Sequence, residues 1–212
     1  MYNQRKGGFF LKKLSNSRRR EAAALAWLCL ALLTGVWARG RQAALAEKLV
    51  RLHVIAVSDA PEDQAAKLRV RDAVLAELAP ALESAADAQE AEKTVRTMLP
   101  RLRALAEEIG GVPARAELGR ENYPTRVYDS FSLPAGRYTS LRITLGEGAG
   151  HNWWCVVYPP LCGADARAVE ENEALTDGEK AIITEDGAGC VIRFRLLEWW
   201  GELTNRLDKT EE

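Results

Sequence analysis

A run of 17 uncharged residues near the N terminus constrains this chain more than any other feature of its sequence. Residues 22–38 read AAALAWLCLALLTGVWA, and Arg18, Arg19 and Arg20 stand just before them. The run falls short of the ~20 residues that comfortably span a bilayer. A basic region, a short apolar core and small residues near Ala38 are typical of a secretory signal, and an uncleaved signal anchor shares them. Cleavage after Ala38 and anchoring both remain open, and both place the following residues outside the cytoplasm.

The charges of the leader and of the remaining chain have opposite signs. The first 38 residues carry seven Lys and Arg residues against Glu21 alone, a net charge of +6, while the whole chain has a net charge of −1. Residues 39–212 therefore carry a net charge of −7. A nucleic-acid-binding protein carries its positive charge on the folded domain, so the acidic body argues against that class. With 47% hydrophobic residues, the chain has enough apolar material for a core.

Hydrophobic periodicity predicts the order of the elements in the body. Residues 49–57, LVRLHVIAV, are typical of a buried strand, and two amphipathic helices follow. Asp59 and Glu62 match a capping box at the start of the first helix. Asp87 and Glu90 repeat this spacing before the second helix, which Gly110-Gly111 should end. Further strands are predicted around residues 112–118, 125–128, 138–145 and 153–158, with a final amphipathic helix around 194–207.

This order predicts an α+β fold. It indicates a single domain with helices packed on an antiparallel or mixed sheet, preceded by an N-terminal signal or anchor helix. We divide the chain into a leader (1–38), a lead-in (39–48), the exported domain (49–207) and a polar tail (208–212).

The cysteines favour a disulfide in an exported body. Cys155 and Cys162 flank Pro159-Pro160, and a bend at the two prolines would bring the two thiols close together. Pairing of Cys190 with either of them stays open. Cys29 lies in the apolar leader, where Leu28 before it does not fit a lipoprotein signal.

The stretch HNWWCVVYPPLC (151–162) does not favour a catalytic or a metal-binding site. A cysteine hydrolase needs a histidine within reach of its thiol. His151 lies ~13 Å along a strand from Cys155. Only His53 could meet Cys155 in space, which leaves an envelope (peptidoglycan) hydrolase as the alternative function. The spacing H-x3-C-x6-C matches no zinc pattern, and no cofactor is expected. Gly146, Gly148 and Gly150 precede a strand, so they indicate a hairpin loop rather than a phosphate loop.

The adjacent tryptophans of this stretch are candidates for an interface. Neighbouring residues of a strand point to opposite faces, so one of Trp153 and Trp154 should be buried and the other more exposed. A tryptophan beside a rigid bend can anchor a protein contact. We therefore expect Trp153, Trp154, Pro159 and Pro160 to contribute to partner binding.

Two long blocks of the sequence resemble stage II sporulation protein R. They are VRLHVIAVSDAPEDQAAKLRVRDAVL (from Val50) and LPAGRYTSLRITLGEGAGHNWWCVVYPPLC (from Leu133), and the resemblance extends from about residue 49 to about 203. Leu197-Glu198-Trp199-Trp200 also fits the C-terminal helix of that family. Val57 and Gly163 depart from the family pattern and His151 is not part of it, which weakens any assignment of a shared function to residues 57, 151 and 163.

The resemblance implies a signalling protein rather than an enzyme. Members of this family are made in the forespore of endospore-forming bacteria and exported into the space between its two membranes. There they activate a membrane-embedded aspartic protease of the mother cell at its extracytoplasmic face, and that protease matures the sigma factor E precursor. If the leader is not cleaved, residues 22–38 would be the part of the chain in contact with the membrane.

Overall fold

The computed structural model describes residues 16–128, 131–162 and 172–183. It confirms the α+β class. The elements are α1 (Asn16–Glu47), β1 (Val50–Ile55), α2 (Pro61–Leu82), α3 (Ala88–Gly110), β2 (Ala114–Tyr123), β3 (Arg126–Val127), β4 (Ser132–Leu133), β5 (Gly136–Leu145), β6 (Asn152–Tyr158) and α4 (Asp177–Ile183). The predicted helix around 194–207 and Cys190 lie outside the described residues.

The described chain forms two units, with the boundary between Arg41 and Gln42. In the first unit, α1 presents its apolar side chains to the surroundings. Its large exposed residues include Leu25, Trp27, Leu33, Val36 and Trp37. The helix over residues 18–47 is long and apolar enough to cross a membrane, with a mean hydropathy of 1.7 over an 18-residue window. An apolar surface of this kind is typical of a signal sequence or a membrane anchor.

The second unit is built on a four-stranded mixed sheet in the order β2-β5-β1-β6. β1 runs parallel to β5, with Val50 opposite Thr139, and antiparallel to β6, with Val54 opposite Trp153. β2 pairs antiparallel with β5. Because β5 and β6 lie on either side of β1, the glycine-rich segment between them is a crossover, and the predicted hairpin loop is wrong.

Alternation along β1 divides the sheet into two different faces. Val50, Leu52 and Val54 point toward α2 and α3, where they pack in the main core with the buried side chains of both helices. Arg51 and His53 point to the opposite face. A smaller core lies there, formed with the end of α1 and with the β3–β4 ribbon by Leu45, Leu49, Phe131, Leu133, Tyr138, Val156, Leu161, Leu175 and Ile183.

The ends of the two long helices differ in how well the sequence predicts them. Asp87 caps α3 and accepts hydrogen bonds from the backbone N–H groups of Gln89 and Glu90, as predicted. Gly111 ends α3 in the left-handed conformation with φ 68°. Pro80 lies inside α2 without ending it, since the helix continues to Leu82.

The capping box predicted for α2 is wrong. The N-cap is Ala60, which has no side-chain cap, and Pro61 occupies the first helical position. Asp59 instead accepts hydrogen bonds from the backbone N–H of His151 at 2.7 Å and from its Nδ1. Glu62 remains an acidic residue of the first turn, where the helix dipole favours it. Asp59 thus ties the β1–α2 turn to the segment before β6.

Candidate partner-binding site

The two tryptophans lie on β6, at one edge of the four-stranded sheet. Trp153 is opposite Val54 and Trp154 is opposite His53, so their side chains project from different faces. The expectation that one would be buried and the other more exposed is wrong, because both are half-buried. An edge strand has a covering layer on each face but a neighbour on one side only, and both rings are therefore partly accessible.

Trp153 belongs to the helix-covered face. It packs against the main core, and the guanidinium carbon of Arg71 on α2 lies 4.9 Å from its ring centroid. Cation–π contact of this kind holds an aromatic ring in place at a partly exposed site.

Trp154 belongs to the opposite face, where it has two close neighbours. The imidazole of His53 stacks with it, with ring centroids 5.4 Å apart and an interplanar angle of 25°. The guanidinium carbon of Arg126, on β3, lies 3.6 Å from its centroid. Trp154 is thus a preorganised aromatic surface beside a cation, which is the composition of many interaction hot spots.

A chain of hydrogen bonds fixes His53 beneath this tryptophan. His53 Nδ1 is 2.8 Å from Glu121 Oε1, and its Nε2 is 2.9 Å from Asn152 Oδ1. Ser140 donates to Glu121 Oε2 at 2.8 Å, and Tyr123 is 2.7 Å from the same serine hydroxyl. Both nitrogens of the imidazole are therefore engaged, which orients the ring on which Trp154 stacks.

The carboxylate of Glu121 is the acidic centre of this network. Burial alone would raise the pKa of Glu121, but hydrogen bonds from His53 and Ser140, with the charges of His53 and Arg142, outweigh it and lower the pKa. A carboxyl group whose pKa is lower in the folded state stabilises the fold above its unfolded pKa of about 4.3. That contribution is lost as the pH falls through the folded-state pKa.

We therefore expect Glu121→Gln to lower the free energy of unfolding at neutral pH by about 1.5 kcal/mol, the contribution of hydrogen bonds to a charged group. The difference between wild type and variant should shrink below pH ~4, where the wild-type carboxylate becomes protonated. Urea unfolding from pH 7 to pH 3 measures it. Glu92→Gln, at an exposed ion pair with Arg96 on α3, is the control. A wild-type-to-Glu121→Gln difference that stays constant with pH would contradict this account.

The two prolines lie at the other end of β6 from the tryptophans. Pro159 is buried and Pro160 is exposed, so only the second is available to a partner. Tyr158, the last residue of β6, is four positions beyond Trp154, or about 13 Å along a strand. The tryptophans and the exposed proline therefore lie at opposite ends of β6, and their contribution to partner binding stays a prediction.

Cys155 and Cys162 form a disulfide across this bend, with their Cα atoms 5.6 Å apart. Cys155 is buried in the main core, on the helix-covered face. His53 lies on the other face of the sheet, so the two residues of the alternative hydrolase do not meet. A disulfide sulfur is also not a nucleophilic thiolate. Among the described residues, no group of three or more His, Cys, Asp or Glu side chains is arranged to hold a metal ion.

A buried lysine beside the α2 turn was not predicted from the sequence. Lys67 is 5% exposed, and its Nζ donates to Gln64 Oε1 at 2.6 Å and to the carbonyl of His151 at 3.0 Å. Burial lowers the pKa of Lys67, as does the charge of Arg71, while Asp59 acts in the opposite direction. The sequence around Lys67 does not predict its burial, because one of its acceptors is the carbonyl of His151, 84 residues away in the sequence.

Comparison with known proteins places this arrangement in a family. A family model described as stage II sporulation protein R matches residues 46–168. The stage II sporulation protein R of Bacillus subtilis (strain 168) is 33% identical over 183 residues, which cover 74% of this chain and 82% of that protein. No solved structure matches the chain. The matched residues include β1, α2, α3, β6 with its two tryptophans, and the disulfide. The chain belongs to the stage II sporulation protein R family.

Proposed function

We propose that this protein is exported and activates a membrane-embedded aspartic protease from the extracytoplasmic side, which triggers maturation of the sigma factor E precursor. Its family gives the chain a role in sporulation signalling. The observation that carries the finer proposal is the match over residues 46–168, in a chain whose preceding helix is apolar and exposed. The leader would carry the folded body across the membrane, and the body would be the signal.

Two properties of the body support export. The disulfide between Cys155 and Cys162 suits an oxidising compartment, because cytosolic thiols are kept reduced. The body also carries an excess of acidic residues, whereas the positive charge is concentrated before the apolar segment. Positive charge at that position favours translocation of the residues on the C-terminal side of the apolar segment.

Activation requires that the body bind one state of the protease more tightly than another. A ligand shifts a conformational equilibrium only by its difference in affinity for the two states. Trp154 meets the requirement of a binding residue, since it is partly accessible and held rigidly between packed neighbours. A rigid aromatic side chain loses little conformational entropy on binding.

Reconstitution in a bacterium that does not sporulate tests this function. The membrane protease and the sigma factor precursor are expressed with and without this chain, and the size of the precursor is followed by immunoblot. We expect cleavage only when the full chain is present. A variant lacking residues 1–38 should remain in the cytoplasm and fail to activate. Absence of cleavage, with export and protease expression verified, would refute the proposed function.

A further inference from the structure

Arg51 is a fully buried cation on the face of the sheet that carries Trp154. It is 0% exposed, and its guanidinium carbon lies 3.8 Å from the ring centroid of Tyr123 and 4.9 Å from that of Tyr138. Nη2 donates to the hydroxyl of Tyr128. Nε and Nη1 are buried without a hydrogen-bond acceptor among the described residues. Buried donors are nearly always paired in folded proteins, so these two nitrogens, which carry three N–H groups, need an explanation.

Arg126 is a second cation beside the first. It lies on β3, half-buried, with its guanidinium over Trp154 at 3.6 Å, and its Nε is buried with no acceptor in the described part of the chain. Burial lowers the pKa of Arg126 and the charge of Arg51 lowers it further, while Tyr128 acts in the opposite direction. Tyr128, whose hydroxyl accepts the hydrogen bond from Arg51, lies two residues after Arg126, so both cations lie beside the β3 end of the ribbon.

The described part of the chain offers this pair no ion-pair partner. Neither arginine forms an ion pair with a described carboxylate. Glu121, on the same face, is already bonded to His53 and Ser140. The phenols do not supply the charge, since burial raises the pKa of Tyr138 to about 12 and also raises the pKa of Tyr123. A buried cation without a partner is costly, and a carboxylate would relieve both the charge and the unpaired donors.

We propose that Arg126 and Arg51, with Trp154 as one wall, form a binding site for a carboxylate side chain of the protein partner. The inserted Asp or Glu accepts hydrogen bonds from the half-exposed Arg126, and Arg51 behind it supplies the second positive charge. The identity of the partner as the membrane protease rests on the proposed function. The site itself rests on the two arginines.

The geometry favours a protein side chain over a membrane as the source of the anion. Arg51 is fully buried and Arg126 is half-buried beside Trp154, so few cationic groups are presented at the surface, which suits one carboxylate side chain better than a layer of headgroups. The body also has a net charge of −7 over residues 39–212, which opposes its approach to an anionic bilayer.

The first test uses the reconstituted system at limiting amounts of this chain. Arg126→Gln should reduce precursor cleavage about tenfold, the loss of one charged hydrogen-bonding partner. Arg126→Lys keeps the charge but lacks the planar guanidinium, so its level of cleavage should fall between those of the wild type and Arg126→Gln. Arg96→Gln, at the exposed pair with Glu92, is the matched control and should equal wild type. If Arg126→Gln activates cleavage as fully as the wild type does in a parallel reaction, the proposed site is overturned.

Arg126→Glu provides a stronger form of this test. It should abolish cleavage, and Lys or Arg in place of one extracytoplasmic acidic residue of the protease should restore it. Failure of every such exchange to restore cleavage counts against a protein carboxylate. Equal loss of binding to vesicles containing anionic lipid would assign the cations to a membrane instead.

The second test needs no partner, so it separates the site from the proposed function. The full chain in detergent is melted in sodium acetate and in sodium chloride at equal ionic strength. Acetate should raise Tm relative to chloride in the wild type but not in Arg126→Gln, since a ligand of the folded state stabilises it. Asp129, which lies outside the described residues, is the acidic residue nearest to Arg126 in the sequence and is the internal alternative to a bound carboxylate. No response in wild type, with a response gained in Asp129→Asn, would identify an internal counter-ion and overturn the proposal.

Discussion

Trp154→Ala is expected to abolish precursor cleavage in the reconstituted system while leaving the body folded. The substitution removes the ring that stacks on His53 and lies under Arg126, and with it the rigid wall of the proposed site. Hot-spot tryptophans at the centre of an interface cost ~2–4 kcal/mol of binding free energy or more when truncated, which is roughly a 30- to 1,000-fold loss of affinity. Immunoblot of the precursor, with the exported chain quantified, gives the result.

Two further variants separate a lost contact from a lost fold. Trp154→Phe keeps an aromatic ring between the same neighbours and should retain part of the activity. Trp153→Ala removes the equivalent ring from the helix-covered face, where it packs against the main core and Arg71. That variant should be less stable yet activate in proportion to the folded protein present. If Trp154→Ala stays fully active, or Trp153→Ala alone is inactive when folded, the contact surface has been assigned to the wrong face.

Removal of the disulfide should lower the free energy of unfolding by about 2–3 kcal/mol. Cys155 and Cys162 close a short loop of sequence separation 7, and the loop-entropy relation gives about 2.5 kcal/mol for a loop of that size. The double variant Cys155→Ser/Cys162→Ser would therefore melt about 5–10 °C below wild type. Precursor cleavage per folded molecule should not change, because the bond acts on stability and contributes no thiol.

Reduction of the wild type supplies the independent control for this prediction. A thiol reductant should shift wild-type unfolding to the curve of the double variant and leave the double variant unaffected. Cys29→Ser, at the exposed cysteine of the leader, should behave as wild type. A folded double variant with normal stability but no signalling would instead indicate a chemical role for one of the cysteines.

The sequence predicts the elements of this fold better than it predicts their contacts. β1, α3 and its caps follow from local signals, namely an apolar β-branched run, the Asp87 cap and the Gly111 stop. Asp59 shows where local reasoning fails. It has the correct spacing for a helix cap, but a segment more than ninety residues later competes for its carboxylate, and its hydrogen bonds go to His151.

The sequence predicts the candidate site only in part, because some of its features are local and others depend on contacts between distant segments. Alternation on a strand correctly placed Trp153 and Trp154 on opposite faces. Their exposure depended on which strand lies at the edge of the sheet, and the order β2-β5-β1-β6 is a non-local property. Arg51 and Arg126 were missed because an arginine in an apolar strand or a two-residue ribbon gives no sequence signal of its surroundings. Only the tertiary fold brings Arg51 against Tyr123, Tyr138 and Tyr128 and places Arg126 over Trp154.

The position of β1 between β5 and β6 has a consequence for the proposed export. β1 is the first strand to emerge behind the leader, yet Val50 pairs with Thr139 and Tyr158, both from strands late in the chain. Contacts of such high sequence separation form slowly, since a long loop must close before they add stability. The sheet therefore cannot close until the second half of the chain is available. In the proposed export, this order would keep the polypeptide unfolded during its passage through a translocation channel and delay folding until it reaches the far side.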